Sequence, residues 1–232
     1  MWWWGSLLLL LFVAVLVTAV AIFALRTPRR PAAVVLIGPC GAGKTLLFYR
    51  LTEDEHCDTV SSMQSNQGQV GDVALVDFPG HYRLRGGLKD ELDRATKLVM
   101  LVDAAAMAAQ AKPAAELLFQ VLTAFQNAKR PPPVLLICNK TDKATAKTPQ
   151  RVKLMLMNEI ETLRKTAHAL RSIDDDDDKQ QPAQLGVEGR VFSFDQHSPC
   201  PITFLPISVK NDDLSPVRAF VQTGLVSTTP SS

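Results

Sequence analysis

Gly38-Pro-Cys-Gly-Ala-Gly-Lys44-Thr45 places three glycines, a lysine and a hydroxyl within eight positions, directly after the apolar run Ala33-Val-Val-Leu-Ile37. The pattern G-x-x-x-x-G-K-[ST], set between a buried strand and a helix, suits a polyanion. Glycines permit a loop whose consecutive N–H groups converge on a phosphate, and the helix after it offers the same anion its positive end. Gly38, Pro39, Cys40, Gly41, Ala42 and Gly43 are therefore all placed for phosphate contact. Lys44 is placed to bridge the β- and γ-phosphates of a nucleoside triphosphate, and the Thr45 hydroxyl to ligate Mg²⁺. A glycine-rich turn with no ligand is the competing reading of the pattern alone.

Two further clusters end apolar runs in the same way. Val76-Asp77-Phe-Pro-Gly80-His81 closes the run that begins at Val73. A carboxylate there can hold Mg²⁺ through water, and the Gly80 N–H can meet a γ-phosphate and swing away when it is gone. Cys138-Asn139-Lys140-Thr141-Asp142 comes after the run from Val134. Guanine presents N1–H and a 2-amino group on one edge, and one carboxylate accepts both; adenine has no such donor pair, so Asp142 selects GTP over ATP. Asn139 ties this loop to the phosphate loop, and the stem of Lys140 lies over the base. Ser208-Val209-Lys210, after the run to Ile207, brings backbone amides within reach of the guanine carbonyl. A second hydroxyl for Mg²⁺ must come from between Thr45 and Val73. Thr59, Ser61 and Ser62 are available, and Ser61 is preferred from its surroundings.

These loops require strands to carry them. Buried runs at 33–37, 73–76, 98–102, 134–138 and 203–207 alternate with helix-length segments at 44–51, 113–128 and 150–170. Apolar strands interleaved with amphipathic helices predict an α/β fold: a mostly parallel sheet with helices on both faces. Residues 172–200 break the rhythm with the acidic run Asp174 to Asp178, then Gln, Pro and Gly, and read as a surface insertion. The domain is expected over 33–224, with 225–232 as a tail.

Ahead of it, Leu7 to Leu25 is apolar apart from Thr18 and, as a helix, would reach roughly 30 Å, about the thickness of a bilayer core. Trp2, Trp3 and Trp4 stand before it, and Arg26, Arg29 and Arg30 after it. Residues 1–25 read as a single transmembrane anchor rather than a cleaved signal, since no basic stretch precedes the run and no small-x-small cleavage site ends it. The arginines keep the remainder of the chain in the cytosol, with 26–32 a basic, proline-containing tether. Of 25 basic side chains these three leave 22 against 23 acidic ones, which disfavours direct nucleic-acid binding by bulk charge. The four cysteines form no Cys-x-x-Cys pair, which fits a reducing compartment better than a disulfide scaffold.

The order Gly38-Lys44-Thr45, Asp77-Phe-Pro-Gly80, Asn139-Lys-Thr-Asp142, Ser208-Val-Lys210 resembles the small Ras/Arf-like GTPases. Gly-x-Cys-x-x-Gly-Lys-Thr-Leu-Leu-Phe at 38–48, Asp58-Thr59, Asp-x-Pro-Gly-His at 77–81 and Pro182-Ala-Gln-Leu-Gly186 narrow the resemblance to the β subunits of the signal recognition particle receptor. The resemblance implies a P-loop small-GTPase fold held in the endoplasmic reticulum membrane by an N-terminal helix, with GTP and Mg²⁺ bound. It further implies an α subunit captured in the GTP state, contact with the ribosome or translocon, and a role in cotranslational targeting. Two departures from Ras-like proteins predict slow intrinsic hydrolysis. His81 stands where they carry the glutamine that orients water, and Cys40 replaces a glycine beside the γ-phosphate. His81 is then either the water-orienting group or a partner contact, and Cys40 an inert filler. Three functions stay open: a regulatory GTPase, a non-cycling anchor that binds GTP for folding and docking, and, least supported, a phosphotransferase.

Overall fold

The computed structural model describes residues 10–18, 31–53, 65–81, 86–171, 185–187 and 189–226, with backbone alone for 168–171. The chain divides into two units, Met1–Pro31 and Ala32–Ser232. In the first, residues 10–18 form a helix, α1, whose apolar side chains are exposed and whose Thr18 hydroxyl donates to the Val15 carbonyl at 2.9 Å. Among the described residues no helix is long and apolar enough to cross a membrane. The expected span 7–25, the tryptophans and most of the tether extend outside the described residues.

The second unit is a six-stranded sheet in the order β2-β3-β1-β4-β5-β6. The strands are β1 (Ala33–Ile37), β2 (Asn66–Val70), β3 (Val73–Asp77), β4 (Ala95–Asp103), β5 (Val134–Asn139) and β6 (Ile202–Pro206). Every pairing is parallel except β2 with β3. All five side chains of β1 are buried, and their alternation explains why no polar residue is tolerated there. Val35 and Ile37 pack toward α3 (Leu88–Arg94), α4 (Met107–Gln126) and α5 (Pro149–Arg171). Val34 and Leu36 pack toward α2 (Lys44–Thr52) and α7 (Ser215–Thr223).

Four sequence expectations change. The polar strand β2, Asn-Gln-Gly-Gln-Val, has no apolar alternation because it lies at the sheet edge; the Gly71-Asp72 turn folds it back onto β3, with Val70 opposite Val73. Helix α4 begins at Met107, six residues before Pro113, which sits inside it. Helices α3, α7 and the short α6 (Phe194–His197) join the three that periodicity marks. The described part of the 172–200 segment is no surface insertion: Leu185, Phe192, Phe194 and Cys200 are buried in the α4/α5 core. Arg164 fastens its return by donating to the carbonyls of Val187 and Arg190, at 2.8 and 3.0 Å, while Glu161 accepts the Phe192 N–H. The acidic run lies outside the described residues.

Cys40, Cys138 and Cys200 are free thiols, and burial pushes the last two up to about 12 and about 11, which leaves them protonated and unreactive. The C-terminal ends of β1, β3, β4, β5 and β6 line up along one margin of the sheet. Register puts Leu36 beside Asp77 and Asp103 beside Asn139. In open α/β sheets that margin is where ligands bind.

Candidate functional site

The loop after β1 is held by its carbonyls. Pro39 O accepts from Lys44 Nζ at 3.0 Å, Cys40 O from Gln110 Nε2 at 3.2 Å, Gly41 O from Lys140 Nζ at 2.8 Å and Ala42 O from Asn139 Nδ2 at 2.7 Å. Across a trans peptide, N–H points opposite to C=O. Four consecutive carbonyls fixed by side chains of α2, α4 and the β5 loop thus set the orientation of the loop's N–H groups. Gly43 has φ 97° and begins α2 with no side-chain cap and no acidic residue in the first turn, so the positive helix end stays open to an anion. Any Cβ at Gly43 would collide with the Asn139 amide, a second reason for glycine there.

Lys44 and Asp77 are both buried at the base of this loop. Burial holds the Lys44 ammonium below its ordinary pKa, against the raising influence of Asp77 and Cys40. Burial likewise raises the Asp77 carboxyl, opposed by the Thr45 hydrogen bond, Lys44 and Asn66. Thr45 Oγ1 donates to Asp77 Oδ2 at 2.8 Å, so two of the three predicted metal ligands meet although 32 residues apart. Asp77 Oδ1 is buried without a hydrogen-bond partner. A buried carboxylate oxygen left open beside a hydroxyl is a donor set that fits a hard divalent cation. Ser61, with Thr59 and Ser62, lies outside the described residues.

Gly80 sits against the same loop: a Cβ there would meet the Lys44 ammonium, Gly38 O at 2.8 Å and Cys40 N at 3.0 Å. The close approach requires a residue without a side chain. His81 comes next and is exposed.

At the other end, Asn139 is a buried junction. Its Oδ1 accepts from Lys140 N at 2.7 Å and Val209 N at 2.9 Å, while its Nδ2 reaches the phosphate loop. Asp142 is exposed and accepts the Ser208 hydroxyl at 2.6 Å, the bond that chiefly holds its carboxyl below the usual range. The Ser208 N–H goes to Asp212 Oδ2 at 2.6 Å. Of the Ser208-Val209-Lys210 amides expected to face a base, the Ser208 N–H is thus bonded to Asp212 and the Val209 N–H to Asn139 of β5, while Lys210 is exposed. Arg50 of α2 fixes this loop from beneath, donating to Val209 O at 2.6 Å and Asp212 O at 3.1 Å.

Two residues of the site escape sequence reasoning. Gln110 holds the Cys40 carbonyl from α4, and a lone glutamine in a helix carries no signal. Asp103 ends β4 and ion-pairs with Lys140 at 2.6 Å. Its signal was available, since a carboxylate ends this buried strand as Asp77 ends β3.

The model of the family described as signal recognition particle receptor beta subunit matches residues 29–198. Over 186 residues the chain is 38% identical to signal recognition particle receptor subunit beta of Mus musculus, covering 77% of this chain and 68% of that protein. With the Homo sapiens protein of the same name it shares 37% over 207 residues, 85% of this chain and 76% of the other. Among solved structures it is similar to the mammalian SRP receptor, at 35% identity and a TM-score of 0.68 over 81% of this chain and 97% of that one. It is also similar to the β subunit with GDP and magnesium from Chaetomium thermophilum, at 25% identity and a TM-score of 0.60 over 81% and 94% of the two chains. With the phosphate loop, the Thr45–Asp77 pair and the Asn139 junction carried on a small-GTPase-like sheet, the chain belongs to the signal recognition particle receptor β-subunit family.

Proposed function

We propose that this chain is the membrane-anchored, GTP-binding regulatory subunit of a signal recognition particle receptor. In this reading it sits in the endoplasmic reticulum membrane with its GTPase unit in the cytosol. It captures the receptor α subunit when GTP is bound and hydrolyses GTP slowly, in the service of cotranslational targeting. The single observation that carries the nucleotide assignment is Asp142: an exposed carboxylate, oriented by Ser208, on a loop that Asn139 bonds directly to the phosphate loop. Two acceptor oxygens held in one place match the paired donors of guanine. The GDP and magnesium of the Chaetomium thermophilum relative support the same choice.

Gly38 to Gly43 and Lys44 would hold the phosphates, Asn139, Lys140 and Asp142 the base, and Thr45 and Asp77, joined by Ser61, the magnesium. Bound there, Mg²⁺ supplies positive charge against the phosphate oxygens. Gly80, packed on the phosphate loop, is placed to respond to the presence of the terminal phosphate, and His81 is carried with it toward the attacking water or the partner. Imidazole replaces an amide at that point and Cys40 fills space beside the phosphate loop, so turnover is slow.

The full-length chain in detergent micelles tests this by calorimetry with GTP, GDP and ATP, and then by capture of the α subunit in each state. Guanine-selective binding with capture favoured by GTP is the expected result. Equal binding of ATP sinks the nucleotide assignment, whereas guanine-selective binding with nucleotide-independent capture reduces the protein to a non-cycling anchor.

A further inference from the structure

We infer that Asp103, at the C-terminal tip of β4, is a positioning residue that locks Lys140 across the base site and so sets how long the nucleotide stays bound. The inference rests on the guanine-nucleotide reading and assigns a role to a residue outside the four sequence motifs.

Asp103 is only 4% exposed and uses its two oxygens for different tasks. Oδ1 accepts the N–H groups of Ala105 and Ala106, at 3.0 and 3.1 Å, which fixes the turn into α4. Oδ2 accepts Lys140 Nζ at 2.6 Å, and the same ammonium donates to Gly41 O at 2.8 Å. Lys140 is therefore stretched between the tip of β4 and the phosphate loop, with its stem spanning the interval between β5 and that loop. Its backbone is held as firmly: at φ 65° it is the one non-glycine with positive φ among the described residues, and Asn139 Oδ1 takes its N–H. A left-handed lysine is disfavoured unless its surroundings over-determine it, and such residues cluster at ligand sites. The backbone bond alone leaves four side-chain torsions free; a buried carboxylate removes that freedom before any ligand arrives, and preorganisation of this kind slows dissociation.

The register explains why β4 supplies the group. Asp103 lies opposite Asn139, so the carboxylate stands one strand from the backbone of Lys140 and within reach of its extended side chain. Asparagine could fill the same volume. Its amide would, however, turn an N–H₂ toward either the ammonium or the two turn N–H groups, and it could not serve both.

The test uses the full-length chain in detergent micelles loaded with a fluorescent GDP analogue, with dissociation measured after addition of excess GDP. D103N is expected to release the analogue about tenfold faster, the size of effect that loss of a charge-assisted hydrogen bond gives. K140M, which keeps the apolar stem and loses the ammonium, is expected to do the same. The double variant should be no faster than K140M alone, since Asp103 acts through Lys140. A wild-type rate for D103N, or a double variant as fast as the product of the two single effects, overturns the inference. If D103N does not fold, K140M alone decides: the Asp103 turn contacts are intact there, and an unchanged rate overturns the inference. Failure of the guanine reading looks different, because the wild-type chain would then retain an adenine analogue as well as the guanine one.

Discussion

At the base end of the site, both polar atoms of the Asn139 side chain are bonded to protein, Asp142 is held by Ser208, and Lys140 is gripped at its backbone and at its ammonium. At the phosphate end, Lys44 and Asp77 are buried, each displaced by burial from its ordinary pKa, and Asp77 Oδ1 has no partner. The first region is a closed hydrogen-bond net that also holds the fold together. The second stores desolvated charge whose burial cost a bound anion with its cation would offset. On the proposed reading the base pocket is thus prebuilt, whereas the phosphate pocket would gain stability when filled, which is the property a nucleotide-responsive switch requires.

The widest separation of the two ends comes from Lys44→Met. With a desolvated charge partner worth roughly 2–5 kcal/mol lost, GTP affinity should fall at least about thirtyfold. The nucleotide-free chain should melt no lower than wild type, because its buried ammonium is gone. Calorimetry and a thermal melt read the two effects, and a large loss of melting temperature would show that Lys44 belongs to the scaffold. Asn139→Ala should behave in the opposite way. It leaves the Ala42 carbonyl and the Val209 and Lys140 N–H groups without their partner, so denaturant unfolding of the nucleotide-free chain should show a loss of about 2–3 kcal/mol. Wild-type stability in that variant would break the comparison.

The same contrast governs which parts of the molecule are legible in the sequence. β1, β4 and β5 are legible because strands covered on both faces admit only apolar side chains, and 33–37, 98–102 and 134–138 contain nothing else. β2 is not, because at an edge its Gln67 and Gln69 face solvent and the strand is defined by its partner β3. The phosphate loop is legible because a polyanion dictates residue types at fixed spacing. Asp103 is legible only as a carboxylate at a strand end and Gln110 not at all, because their roles depend on groups brought from other elements: Lys140 lies 37 positions from the first and Cys40 lies 70 from the second. Leu185 and Phe192 are hidden for a related cause, since only the packing of α4 and α5 shows that the segment after the acidic run returns to the core.

A smaller effect separates the ends by pH. Burial raises Asp77 above its unfolded value of 3.8, so its contribution to stability is fully present below that pH and is lost as pH rises through the raised folded value. Lys44 is lowered from 10.5, so its contribution is present above that pH and lost as pH falls through the depressed value. Both groups therefore weigh against the nucleotide-free fold near neutrality. D77N removes the first dependence: its stability advantage over the nucleotide-free wild type should grow as pH rises from 3.8 and then level off, as measured by denaturant unfolding at a series of pH values. A constant gap would mean that Asp77 titrates alike in folded and unfolded chains.

The smallest effect is expected at Ser208→Ala, and it tests whether the base end is organised beyond what stability demands. The Ser208 hydroxyl is the first cause of the low Asp142 pKa, ahead of a backbone bond, Lys143 and Lys210. Its loss should move the Asp142 carboxyl up toward 3.8, visible in a carboxyl-carbon NMR titration. A group depressed in the fold contributes stability above its unfolded pKa and loses it as pH falls through the folded one, so whatever Asp142 contributes through the serine is present at neutral pH. With Asp142 exposed and screened by water, the unfolding midpoint should stay at the wild-type value. GTP affinity should nonetheless drop by roughly three- to tenfold, because the carboxylate must then be oriented by the base itself. A drop in affinity with unchanged stability would show that the serine serves the ligand; a drop in both would make it one more strut of the Asn139 net.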